Sequence, residues 1–208
     1  MESFSSNSES STTGRLLSAV ADGQAQALET LLAEHRAYIR RVVDVRVEPA
    51  LRARIDPSDI VQDTLVVASR RIQDFLERRP TSFRLWLRRH AMERLIDARR
   101  KHMRHKRDAM RDVPVNDASS MAIAGELLGN RPSEHIMRHE LIAQVRNALE
   151  ALSEADREIL MMRHGEQLSG IETAELLGIS PDAASKRYGR AVARMVTELR
   201  RLGVTRSN

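Results

Sequence analysis

The sequence predicts an all-α protein: two helical domains joined by a flexible linker, the C-terminal one containing a helix-turn-helix. Three observations support this reading. Aromatic residues make up only 3% of the 208, while good helix formers such as Ala, Leu, Arg and Glu dominate. Apolar residues recur at helical spacing through two long stretches. Between them, residues 108–134 contain Pro, Asn, Ser and Gly without lasting periodicity. The length allows one large or two small domains, each with a real core.

The opening MESFSSNSESSTTG is Ser-rich and almost without aliphatic residues, so 1–13 is expected to be a disordered tail. A short helix is predicted from Arg15 to Gly23. The next carries Leu28, Leu31, Leu32, His35, Ile39, Val42 and Val43 on one face and ends near Pro49. At IDPSD the signals for a new helix coincide: Asp56 or Ser58 as N-cap, Pro57 in the first turn and Asp59 near the positive end of the helix dipole. Its buried stripe is expected to be Ile60, Val61, Thr64, Leu65, Ala68, Ile72 and Phe75, and ERRP ends it. A fourth helix begins near Ser82 and uses Phe83, Leu87, Ala91, Leu95 and Ala98 as its core face. These helices define a first domain over 14–107. The linker, 108–134, holds MAIAGELLG, which is able to form a short turn of helix. Helical pattern resumes at His135 and defines a second domain over 135–203, followed by a tail at 204–208.

The formal net charge of +5 suits a polyanionic partner, either nucleic acid or an anionic membrane surface. No apolar run approaches the roughly 20 residues of a membrane span, and the N-terminus lacks the order of a signal peptide. A cytoplasmic location is the expectation. The chain has no cysteine, which excludes disulfides and thiolate metal sites. His102 with His105, and His135 with His139, stand at helical chelating distance, but neither pair has an evident further ligand set. HIMRHE is not the HExxH order of a zinc protease. With no Gly-rich phosphate loop and no nucleophile–base arrangement, neither an enzyme, a cofactor nor a metal is expected.

The strongest motif is LSGIETAELLGISPDAASKRYGRAVARM. A short helix bearing Ala174, Leu176 and Leu177 ends at Gly178, where a left-handed residue is cheapest, and Ile179 can plug the corner. Ser180 then caps a second helix, with Pro181 at its first position and Asp182 near its positive end. In such a motif the second helix enters the major groove and its early side chains reach base edges. Those are Ser185, Lys186, Gly189 and Arg190, with Arg187 and Arg194 placed to hold phosphates. A mid-helix glycine costs about 1 kcal/mol relative to Ala. Either close approach to DNA or tight packing on a neighbouring helix would account for Gly189. Tyr188 is expected in the core, beside Ala184, Ala191, Val192 and Met195.

A second cationic stretch runs through Arg84, Arg88, Arg89, Arg94, Arg99, Arg100, Lys101, Arg104, Lys106 and Arg107, opposed only by Glu93 and Asp97. Such density suggests a phosphate-tracking surface. Phe75, Phe83 and Trp86 lie beside it, and bases can stack on aromatics next to a positive groove. Each aromatic, however, continues an apolar stripe and is expected in the core. The loop LERRPTS is the better place for unstacked bases.

Together these blocks resemble bacterial RNA polymerase sigma factors of the small extracytoplasmic-function (ECF) type. DPSDIVQDTLVVASRRIQDF is similar to the family's D-x-x-D-[LI]-[VI]-Q-[ED]-T-F/L helix. SFRLWLRRHAMERLIDARRKHMR resembles its F-x-x-W-L…D-x-x-R-[RK] helix, and LSEADREILMMRHGEQLSGIETAELLGISPDAASKRYGRAVARM its C-terminal module. The resemblance implies that Asp59, Gln62 and Asp63 dock on the clamp helices of the polymerase β′ subunit, and that the β flap is a further contact. It implies that Arg78, Arg79, Thr81, Ser82, Arg84, Arg88, Arg89, Arg99, Arg100, Lys101 and Arg104 serve promoter melting and single-strand binding at the minus-ten element. The second domain would read the minus-thirty-five element as duplex. A free monomer is expected, and an anti-sigma factor is a common partner in the family, though no residue here identifies one.

Four positions depart from the family pattern. Glu93 stands where many members have Asn, and His90 where an aliphatic residue is usual. Ile171 and Thr173 occupy positions often filled by Glu and Ile. The competing reading is a stand-alone helix-turn-helix regulator whose first domain senses a ligand or partner. It would not need the docking face of Asp59, Gln62 and Asp63.

Overall fold

The computed structural model describes residues 10–47, 52, 54–102, 116–128 and 135–204. Among the described residues the regular structure is helical and no strand occurs. The chain divides into two compact units, residues 1–43 with 50–104, and residues 44–49 with 105–208.

The first unit begins with α1, Ser11–Ala21, whose N-cap Ser10 accepts from the Thr13 amide. The helix therefore starts ahead of Arg15, because Ser10 supplies a cap that composition alone hides. α2 spans Ala25–Arg46. α3, Pro57–Arg78, is capped by Asp56, whose side chain accepts from the Ser58 amide, with Pro57 in its first turn. These hydrogen bonds hold the Asp56 carboxyl below its ordinary range, the backbone amide contributing most. Arg79 ends the helix in the left-handed region at φ 36°, and Pro80 follows. α4, Phe83–His102, starts after Ser82, whose hydroxyl accepts from the Leu85 amide.

The whole predicted stripe of α3 is buried, from Ile60 and Val61 through Thr64, Leu65, Ala68 and Ile72 to Phe75. It packs against α4, where Phe83, Leu87, Ala91 and Leu95 are buried. Ala98 is half-buried. Phe75, Phe83 and Trp86 meet with ring centroids 5.0–5.6 Å apart, so these aromatics form the core beneath the basic helix.

The second unit contains α5 (Asp117–Leu128), α6 (His135–Ala151), α7 (Glu154–Leu160), a π-helical turn (Met161–Gly165), α8 (Gly170–Leu177) and α9 (Pro181–Arg201). Its core is aliphatic and Met-rich: Ile123, Ala124, Val145, Ala148, Leu149, Ile159, Leu160, Met161, Ala191, Met195 and Leu199. α5 lies in the 108–134 stretch, where a short turn of helix at MAIAGELLG is the expectation, and it runs to 12 residues. It packs on α6 and on the π turn, and Ile123 is fully buried.

Residues 44–49 also group with the second unit. The Asn116 amide donates to the carbonyls of Val45 (2.9 Å) and Val47 (2.8 Å), satisfying backbone acceptors left open at a helix end. Arg46 is buried between two acids. Its Nε donates to Glu166 Oε1 at 2.6 Å and its Nη1 to Glu158 Oε2 at 2.6 Å. Burial opposes the charge, yet the carboxylates of Glu166 and Glu158 hold the guanidinium above its ordinary pKa. Beside this group Gly165 is so close to Val45 that a Cβ would stand 2.7 Å from Val45 Cγ1, which explains a glycine there. No described helix is long and apolar enough to cross a membrane.

Candidate nucleic-acid interface

The helix-turn-helix forms as its punctuation requires. Ser169 and Glu172 make a reciprocal capping box at the start of α8. Gly178 ends the helix in the left-handed region at φ 62°, a conformation that favours glycine. Ser180 then accepts from the Ala183 amide and Pro181 opens α9. Ala184, Ala191 and Met195 anchor α9 in the core.

Ser185, Lys186, Gly189 and Arg190 share the exposed side of α9. Lys186 pairs with Asp182 at 2.8 Å, both side chains open to solvent, so little is lost when a phosphate or base replaces that partner. A Cβ on Gly189 would meet nothing within 4 Å. Packing on a neighbouring helix therefore does not account for this glycine. Arg187 and Arg194 are engaged with α7 instead: Arg187 donates to the Ala155 carbonyl at 3.3 Å, and Arg194 pairs with Asp156. Burial alone would raise the Asp156 carboxyl, but hydrogen bonds from Ser153 and Arg194 bring it below its ordinary range.

Tyr188 is half-buried, its hydroxyl 3.1 Å from His164 Nε2. The polar–apolar exchange on α8 leaves Ile171 exposed and Thr173 buried. The fold absorbs it because the Thr173 hydroxyl donates to the Ser169 carbonyl at 2.7 Å.

In the first unit Asp59, Gln62 and Asp63 are all exposed on the first turns of α3. Spacings of three and four residues set them on one face. Gln62 Oε1 accepts from Arg36 at 3.0 Å, and Ser58 Oγ from Arg40 at 2.8 Å. Cations of α2 thus border the acidic face.

The basic residues near α4 divide into two sets. Arg78, Arg79, Arg89, Arg100 and Lys101 are exposed. Thr81, Arg84 and Arg99 are half-buried, and Arg84 lies over the Tyr38 ring at 4.2 Å from its centroid. Ser82 and Arg88 are buried, so neither offers the open side chain expected of a strand contact. Arg104 lies outside the described residues, as does His105; the side chains of His102, His135 and His139 are likewise outside them. No group of three or more potential metal ligands occurs among the described residues.

A cleft of about 250 Å³ opens between α3 and α4, lined by Arg71, Asp74, Phe75, Arg78, Pro80, Trp86, Arg89, His90 and Glu93. Sequence reasoning marked His90 and Glu93 as departures but did not join them to Arg71 and Asp74. The signal was present in part, because Trp86, His90 and Glu93 fall at i, i+4 and i+7.

Residues 31–105 match Sigma-70 region 2 and residues 142–195 match Sigma-70 region 4. The chain is 28% identical over 184 residues to the RNA polymerase sigma factor CnrH of Cupriavidus metallidurans, covering 87% of this chain and 91% of that one. It is 30% identical over 145 residues to the RNA polymerase sigma factor NccH of Alcaligenes xylosoxydans xylosoxydans, covering 69% and 73%. A solved structure of CnrH in complex with the cytosolic domain of CnrY is similar with a TM-score of 0.55 and 25% identity, over 90% of this chain and 97% of that one. With both regions present in order on two helical units, the chain belongs to the sigma-70 family of RNA polymerase sigma factors, transcription initiation factors, and is of the ECF type.

Proposed function

We propose that this chain binds core RNA polymerase through Asp59, Gln62 and Asp63, directs it to a subset of promoters and assists their melting. The observation that carries the reading is the solvent-exposed acidic face at the start of α3, in a chain of net charge +5. Exposed carboxylates on one helix face suit a protein partner rather than a polyanion. The β′ clamp is the proposed partner of this face, and the β flap a further contact.

The two units then divide the promoter. The second unit reads the minus-thirty-five duplex with Ser185, Lys186, Gly189 and Arg190, while Arg187 and Arg194 exchange their α7 partners for phosphates. The first unit holds the displaced minus-ten strand along Arg78, Arg79, Arg89, Arg100 and Lys101. Unstacking a base costs a few kcal/mol, so binding the unpaired strand shifts the melting equilibrium. An anti-sigma factor is a proposed further partner, since the similar CnrH is seen in complex with the cytosolic domain of CnrY, and the cytoplasm is the proposed location. The domain limits 14–107 and 135–203 describe these roles, with the second unit extended by α5.

Co-purification with bacterial core polymerase tests the proposal, comparing the wild type with the Asp59→Lys/Asp63→Lys variant at moderate salt. Binding by the wild type and its loss in the variant are expected. Retention by the variant would reject the docking face. Absence of binding by the folded wild type would favour the stand-alone regulator.

A further inference from the structure

The π-helical turn between α7 and α8 brings two consecutive residues, Arg163 and His164, onto one side chain of α9. The Arg163 guanidinium carbon lies 5.3 Å from the centroid of the Tyr188 ring. His164 Nε2 lies 3.1 Å from the Tyr188 hydroxyl, and the two rings meet at 5.6 Å between centroids. In an α-helix of 3.6 residues per turn, neighbouring side chains point about 100° apart and do not share a face. Here the turn is wider: the Glu166 amide donates to the Met161 carbonyl at 2.9 Å, the spacing of a π-helix. His164 is buried and Arg163 half-buried.

Arg163 has a further partner. Its Nη1 donates to the carbonyl of Leu168, the residue just before Ser169, which caps α8. Leu168 is itself buried, and its amide donates to the Met162 carbonyl at 2.9 Å. One guanidinium thus joins the start of α8 to the middle of α9, a second tie between the two helices besides the Gly178 corner. A planar guanidinium suits this place, because it donates along its edge while its face or charge meets an aromatic ring. On α9 Tyr188 stands between Arg187 and Gly189, one turn beyond Ser185. Side chains that read a ligand need placement to within about 0.5 Å, so what holds Tyr188 governs how the exposed side of α9 meets the bases.

We propose that Arg163 is a positioning residue for duplex reading. Through Tyr188 and the Leu168 carbonyl it sets α9 against the start of α8, and with it the placement of Ser185, Lys186 and Arg190. The inference rests on the proposed duplex-reading role of the second unit. It adds a residue that governs sequence discrimination without touching DNA.

In the test, the full-length wild type first enriches a preferred duplex from a randomised pool. Fluorescence anisotropy over a salt series then compares that duplex with the unenriched pool, for the wild type, Arg163→Ala, Tyr188→Leu and the double variant. Arg163→Ala is expected to lower the preference for the enriched duplex roughly tenfold, the range of one base-edge contact. Its affinity for the pool and its salt dependence should stay as in the wild type, since no phosphate contact is lost. The double variant should lose little more than either single one, because both act along one route. Thermal melts accompany each variant. Arg163→Gln, which keeps a donor for Leu168 but has no cation for the ring, replaces Arg163→Ala if the latter does not fold. A salt slope lowered by about one would make Arg163 a phosphate contact, and an unchanged preference in the folded variant would make it a packing residue; either outcome overturns the proposal. Additive losses would overturn the route through Tyr188. A folded wild type that enriches no duplex would overturn the duplex-reading role itself.

Discussion

The two units each carry a strongly basic helix, yet they use the charge differently. On α4 the cations surround an aromatic core: Arg88 is buried, Arg84 covers Tyr38, and only part of the set faces water. On α9 a sharp amphipathic division leaves Lys186 and Arg190 exposed, while Ala184, Ala191 and Met195 hold the other face. The second unit places a largely buried ion group elsewhere, at Arg46 with Glu158 and Glu166. A count of basic residues therefore identifies a cationic helix but not which cations are available to a ligand. Availability depends on what lies beneath each side chain.

The largest expected effect comes from breaking this ion group. Arg46→Ala takes the guanidinium away from Glu166, whose side chain is 0% exposed. Removing one partner of a buried pair costs about 3–5 kcal/mol. Chemical denaturation should show the second unit unfolding at clearly lower denaturant, with the first unit's transition displaced much less. Equal displacement of both transitions would contradict the assignment of Arg46 to the second unit.

The contrast between α4 and α9 is sharpened by a matched pair. Arg190→Ala should weaken duplex promoter binding by about 1–3 kcal/mol and leave thermal stability nearly unchanged. Arg88→Ala should do the reverse, lowering the melting temperature of the first unit with little change in strand affinity. Fluorescence anisotropy with duplex and single-stranded DNA, beside calorimetry, reads both. A smaller effect is expected at Gly189, where a Cβ has free space. Gly189→Ala should stabilise the second unit by up to about 1 kcal/mol while weakening duplex affinity. Stabilisation without loss of affinity would show that DNA does not approach this position.

The smallest effect is the acid limb of stability. Asp156 has a lowered pKa in the folded state because Ser153 and Arg194 outweigh the effect of burial. A depressed carboxyl contributes stability above its unfolded value of about 3.9, and that contribution is lost as pH falls through the folded value. Asp156→Asn should flatten the stability of the second unit below about pH 4. An unchanged acid limb would remove Asp156 from the account.

Much of this was legible in local sequence. The buried stripe of α3, its start at Asp56 and its end at ERRP, the Gly178–Ser180 corner and the exposed early face of α9 follow from periodicity, caps and the glycine preference for positive φ. These signals act within a few residues, so the sequence alone determines them. The same holds for the exposure of Asp59, Gln62 and Asp63, which lie opposite an unambiguous apolar stripe. Other features needed the tertiary structure. α5 was hidden in apparent linker because its small and apolar residues show no single face, and only packing against α6 and the π turn explains its place in the core. Arg46 meets Glu158 and Glu166 across more than a hundred residues, and His90 and Glu93 acquire a cleft only when Arg71, Asp74 and Phe75 arrive from α3. A buried ion group or a cleft depends on surfaces from distant segments meeting, and spacing along the chain contains no direct measure of that.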